Sequence, residues 1–173
     1  MRRSLGVADT GFALLLMNSV AGCSATKDLG VFSKSEDVGV VVHPGEARFD
    51  SNRDEYEISA SGENIWGTRD AFHFLHTAEQ GDLTLKASVD FEGEDGDPHR
   101  KGGWMIRESL EPDSAYADVM VHGNGLISLQ FRRTAGGPTE DISAPQKAPA
   151  VVRLERTDDV FSLFVSEDGK NFQ

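Results

Sequence analysis

Cysteine occurs once in this chain, at Cys23, so no intramolecular disulfide can form and an apolar core must hold the folded part together. Basic residues are scarce: 17 Lys and Arg stand against 29 Asp and Glu, a formal net charge of −12. A surface of that sign repels phosphate backbones and anionic headgroups, which argues against nucleic acid as a partner and against electrostatic docking on a membrane. Beyond the N-terminal leader no apolar stretch is long enough to cross a bilayer as a helix. No window sustains a helical apolar stripe for three turns, which disfavours every helical fold class. Catalytic signatures are missing as well. The five histidines (His43, His73, His76, His99 and His122) form no His-Glu-x-x-His motif and have no close cysteine partner, and there is no Gly-x-Ser-x-Gly elbow or phosphate-binding glycine loop. Zinc chemistry, nucleophile-elbow hydrolysis and nucleotide chemistry therefore have no support in the sequence.

What is present begins with an export signal. Arg2 and Arg3 give a positive start, the run around Phe12 to Met17 gives an apolar core, and small residues precede Cys23. The stretch Val20-Ala21-Gly22-Cys23 resembles the lipobox of bacterial lipoproteins, in which the thiol is acylated and the chain is cut just before it. The expected organisation is a leader at residues 1–22, a lipid-anchored tether at 23–30 and one domain at 31–173, displayed on the cell envelope at its periplasmic or extracellular side. An ordinary cleaved signal with an incidental cysteine is the alternative. Removing Arg2, Arg3 and Asp9 with the leader makes the mature chain more acidic still, so membrane association would come from the acyl chains at Cys23, at about 0.8 kcal/mol per buried CH₂.

The rest of the chain alternates with a period of two. Thr84, Lys86, Ser88 and Asp90 interleave with Leu83, Leu85, Ala87, Val89 and Phe91, the pattern of a half-buried strand. Comparable runs occur at 53–60, 71–76, 103–109, 115–122, 126–132, 151–156 and 160–166, and all six prolines fall between runs. The expectation is an all-β, antiparallel sandwich. One hairpin is legible pair by pair. A turn at Gly123-Asn124-Gly125 places Tyr116 opposite Arg132, Asp118 opposite Gln130, Met120 opposite Ser128 and His122 opposite Leu126. Between these lie Ala117 with Phe131, Val119 with Leu129 and Val121 with Ile127. One face is wholly apolar and the other carries Tyr116, Asp118, His122, Gln130 and Arg132. A second hairpin turns at Thr157-Asp158-Asp159. A strand normally follows a turn such as Glu167-Asp168-Gly169, so the expected sandwich has its last strand or strands beyond Gln173.

Several stretches together are similar to the concanavalin-like β-sandwich domains of bacterial secreted proteins often labelled Tol-associated biopolymer-transporter proteins. They are Gly30-Val31-Phe32, Asp37-Val38-Gly39, His43-Pro44-Gly45, Asn64-Ile65-Trp66, Asp70-Ala71-Phe72-His73-Phe74 and Asp97-Pro98-His99-Arg100-Lys101. Met105-Ile106-Arg107, Tyr116-Ala117-Asp118, His122-Gly123-Asn124-Gly125-Leu126 and Ser128-Leu129-Gln130 complete the set. The resemblance implies a jelly-roll sandwich with a concave sheet, often beside a propeller domain, and a further apolar strand after the Asp168-Gly169 turn. It implies no defined activity.

For glycoside cleavage on such a fold, carboxylates should alternate along one strand and face one groove, as in the Glu-x-Asp-x-x-Glu pattern of glucan-cleaving relatives. No such pattern is present. Glu92, Glu94, Asp95 and Asp97 cluster around Gly93 and Gly96 as a loop, either a solvated acidic turn or a calcium site; no other cofactor is expected. What remains is a polar and aromatic set that includes Arg69, Asp70, His73, Arg100 and Lys101. Its expected ligand-binding members are Trp66, His99, Arg107, Tyr116, Asp118, His122, Gln130 and Arg132. Rings that stack on C–H faces and planar groups that pair with hydroxyls suit sugar recognition. The alternative is a structural network of buried ion pairs, such as Asp118 with Arg107 or Arg132. Trp104 reads as core and His73 as a structural histidine. The first expected function is a non-catalytic binding module for carbohydrate or another envelope polymer. A structural or interaction domain docking to a propeller-type partner comes second, and a glycoside-active enzyme third.

Overall fold

A computed structural model describes residues 27–93 and 96–173. The leader, Cys23 and two members of the acidic loop, Glu94 and Asp95, lie outside the described residues. The described chain is all-β, with twelve strands and no helix. They are β1 (Lys34–Val38), β2 (Glu46–Asp50), β3 (Glu55–Ser59), β4 (Asn64–Trp66), β5 (Arg69–His76), β6 (Leu83–Ser88), β7 (Lys101–Arg107), β8 (Tyr116–His122), β9 (Leu126–Arg132), β10 (Glu140–Lys147), β11 (Val151–Thr157) and β12 (Val160–Ser166). All pairings are antiparallel. The sheets run β10-β9-β8-β7, β12-β11-β6 and β1-β5-β4, and β2 pairs with β3.

The middle layer is the four-stranded sheet. Its apolar face, formed by Val119, Val121, Ile127 and Leu129, packs on Val152, Leu154 and Val165 of β11 and β12, with Leu85, Trp104 and Phe131 filling the margins. Its other face takes Met105, Tyr116 and Met120 against Ile65 of β4 and Phe72 and Phe74 of β5. Every residue of β8 is consequently buried. Burying an apolar side chain of this size contributes about 1.5–3 kcal/mol, so the β8–β11 contact is the main source of cohesion in a chain with no possible disulfide bridge.

The hairpin register agrees with the sequence pattern from Tyr116 with Arg132 through Val121 with Ile127. Gly125, at φ 84°, supplies the left-handed turn conformation, and Asn124 Oδ1 accepts the N–H of Leu126 at 3.0 Å. The second hairpin closes with Thr157 opposite Val160. Four strands were not expected: β1, β2, β4 and β10. Pro145 lies inside β10 rather than between strands. β10 is an edge strand, and its register shifts between Ser143 and Lys147, so no ladder hydrogen bond is demanded of the proline. After the Gly169 turn, Gln173 exchanges two backbone hydrogen bonds with Val165 at 3.0 Å each.

Candidate functional site

Pairing in the middle sheet collects one polar set on one face. β7 contributes Lys101, Met105 and Arg107, β8 contributes Tyr116, Asp118 and His122, and β9 contributes Ser128, Gln130 and Arg132. The β4–β5 hairpin roofs this face. Tyr116, Asp118, His122, Gln130 and Arg132 are all buried, Asp118 completely, and Arg107 is half-buried. Among the expected ligand-binding residues only Trp66, 42% exposed at the tip of the roof, and His99 are open to solvent.

The two ends of the face differ chemically. At the Tyr116–Arg132 end the centre is Asp70 of β5. Arg132 grips it bidentately, Nη1 to Oδ2 at 2.9 Å and Nη2 to Oδ1 at 2.7 Å, and Arg107 Nη1 reaches Oδ2 at 3.3 Å. Arg132 also donates from Nε to Gly137 O at 3.1 Å, from Nη1 to Ser114 O at 3.0 Å and from Nη2 to Gly67 O at 3.3 Å. A guanidinium has five N–H donors, so no donor of Arg132 is left for a ligand. Its plane lies 4.9 Å from the Tyr116 ring centroid, and the Tyr116 hydroxyl pairs with Thr139 Oγ1 at 2.9 Å. Burial raises the Tyr116 phenol well above its ordinary range. The ion pairs expected between Asp118 and Arg107 or Arg132 are not formed; both arginines go to Asp70. This end is a structural clamp that ties β5 to β7 and β9.

The other end has unfilled hydrogen-bonding capacity. Neither carboxylate oxygen of Asp118 makes a well-formed hydrogen bond among the described residues, although the Gln130 backbone N–H is near enough to favour its charged form. Burial pushes its carboxyl well above the ordinary carboxylate range, against the pull of the nearby Lys101 ammonium. Lys101 Nζ donates to Ile65 O and to Gln130 Oε1, at 3.2 Å each, and lies 5.8 Å from the Trp66 ring centroid. Burial in turn lowers the Lys101 ammonium, because the charged form gives up water. His122 is held neutral: burial and the charge of Lys101 lower it to about 4. Its Nε2 lies 3.4 Å from Ser128 Oγ, its Nδ1 has no partner among the described residues, and the exposed His99 ring meets it edge-on at 6.0 Å. Ser128 was absent from the expected set, although the alternation that selected Gln130 and Arg132 points it to the same face.

Among the described residues no group of three His, Cys, Asp or Glu could hold a metal ion. In the acidic loop, Asp97 Oδ1 accepts the backbone N–H of His99 at 2.7 Å and shapes the turn. No family model, curated protein or solved structure matches the chain. The chemistry of the site is therefore read from its geometry.

Proposed function

We propose that the polar face of the middle sheet is a non-catalytic binding site for carbohydrate or another envelope polymer, on a domain exported and displayed on a lipid anchor at Cys23. The observation that carries the proposal is Asp118, a fully buried carboxyl whose two oxygens lack a well-formed hydrogen bond among the described residues, beside Gln130 and Lys101, the latter 5.8 Å from the exposed ring of Trp66. Buried polar groups are nearly always paired, so this cluster holds hydrogen-bonding capacity that the fold itself leaves unused. Hydroxyls, which donate and accept, match a set made of carboxyl, ammonium, amide and imidazole, and the Trp66 face suits the C–H surface of a sugar ring. Asp70, the other buried carboxylate of this face, is saturated by Arg107 and Arg132. That favours binding over glycoside cleavage, which needs two working carboxyls. The docking alternative draws on a different observation, the exposed Val40 and Val42, at 91% and 85%.

The test is a broad polysaccharide and oligosaccharide panel, followed by calorimetry on any hit. Trp66→Ala should weaken binding by about five- to a hundredfold, the equivalent of 1–3 kcal/mol, with little change in melting temperature. A folded protein that binds nothing on the panel would sink the proposal.

A further inference from the structure

The opposite face of β5 carries a second arrangement, which the binding site does not use. Ser35 and Asp37 alternate along β1, and the register sets Asp37 directly across from His73 of β5. His73 Nδ1 lies 2.7 Å from Asp37 Oδ1, and His73 Nε2 lies 2.8 Å from Ser35 Oγ. The Asp37 carboxylate is itself held by the backbone N–H of Gly45, at 3.1 Å from each oxygen. A carboxylate only accepts, so the ring proton sits on Nδ1 and the Nε2 lone pair faces the serine hydroxyl. The His73 side chain is 2% exposed, and Gly45 packs so closely that a Cβ there would lie 2.3 Å from the ring. The imidazole is thus fixed in place, while Ser35 stays half-buried at the surface.

Nucleophile, base and orienting carboxylate stand in the order that activates a serine. We propose that Ser35 is an acyl-accepting nucleophile, with His73 as its general base and Asp37 as the residue that positions the base, acting on short-chain carboxylic esters. Gly45 covers the Cγ–Nδ1 side of the ring, away from the Nε2 atom that faces Ser35. In the first step Ser35 Oγ bonds to the ester carbonyl carbon and its proton passes to His73 Nε2. The carbon–oxygen bond to the alcohol then breaks, and the alcohol leaves with that proton. In the second step water attacks the acyl-serine and gives a proton to His73. The Ser35 Oγ–acyl bond breaks, the acid departs and Ser35 regains its proton. Among the described strands β1 pairs with β5 alone, so backbone N–H groups on its free edge can donate to the carbonyl oxygen.

The competing explanation is that the three residues merely pin β1 and Gly45 to β5, and covalent reactivity separates the two. The whole protein is treated with an aryl fluorophosphonate, in which a serine oxygen–phosphorus bond forms as fluoride leaves, and the adduct is mapped by mass spectrometry. Turnover of p-nitrophenyl acetate is measured in parallel. The expected result is one adduct, on Ser35, formed far faster than at the exposed Ser51. Ser35→Ala should abolish it, and His73→Gln and Asp37→Asn should slow both reactions by about a hundredfold or more. Labelling of Ser35 no faster than of Ser51 in the folded wild type overturns the proposal, and this comparison needs no variant to fold. Unchanged rates in a His73→Gln protein that melts like the wild type overturn it as well.

Discussion

Arg132 has all five of its guanidinium N–H groups bonded inside the protein, and Asp70 is the anion on which two of them converge. Arg132→Ala leaves that buried carboxylate with Arg107 as its one charged partner among the described residues. It should cost about 3–5 kcal/mol in chemical denaturation, with any ligand affinity lost only in proportion to unfolding. A stability near that of the wild type would show that the clamp is dispensable. Two neighbouring groups give pH slopes of opposite sign. Asp118 has a folded-state value above 3.8, so the folded protein keeps a proton that the unfolded chain releases. Its contribution is full below the ordinary carboxylate range and fades as pH rises toward the folded value. Asp118→Asn should therefore gain on the wild type as pH climbs from about 4 toward neutrality, and a gap that ignores pH would refute the shift. His122 is lowered from 6.5 to about 4, so its contribution is present above 6.5 and is lost as pH falls from 6.5 to about 4. Denaturant titrations of His122→Gln across that window should lack this loss.

At the scale of single elements, β7 and β8 leave no room for a side chain at Gly103, where a Cβ would stand 2.0 Å from the carbonyl oxygen of Val119. Gly103→Ala forces this pair of strands apart and should cost about 1–3 kcal/mol, visible as a lower thermal midpoint. The β8–β9 hairpin was legible from sequence because its alternation is strict and its Gly-Asn-Gly turn fixes the register. β10 was hidden by Pro145 and by polar residues at an exposed edge, and β4, with three residues, is too short to show a period. The polar face of the hairpin was likewise legible, but its roof was not. That Phe72 and Phe74 cover it is a matter of how separate sheets stack, which local alternation does not encode. The same holds for pairing at long range. Asp70 lies 62 residues from Arg132, and the Ser35–His73 contact spans 38, so the residues were visible while their partnerships were not.

For the molecule as a whole, a net charge of −12 acts on three layers joined by modest apolar contacts. Self-repulsion should weaken the folded state at low ionic strength, so raising sodium chloride from about 10 mM, where the Debye length is near 30 Å, to 0.5 M should raise the melting temperature. No change would mean that the acidic residues are spread widely enough not to feel one another. The burial of β8 has a separate consequence for motion. With strands on both flanks and a sheet above and below, it is shielded from water on four sides. Either outer layer can fluctuate open without uncovering it. Its amide hydrogens should thus be the last to exchange in deuterium oxide, opening only when the whole domain unfolds, whereas those of β10 and of the β2–β3 hairpin should exchange through local fraying.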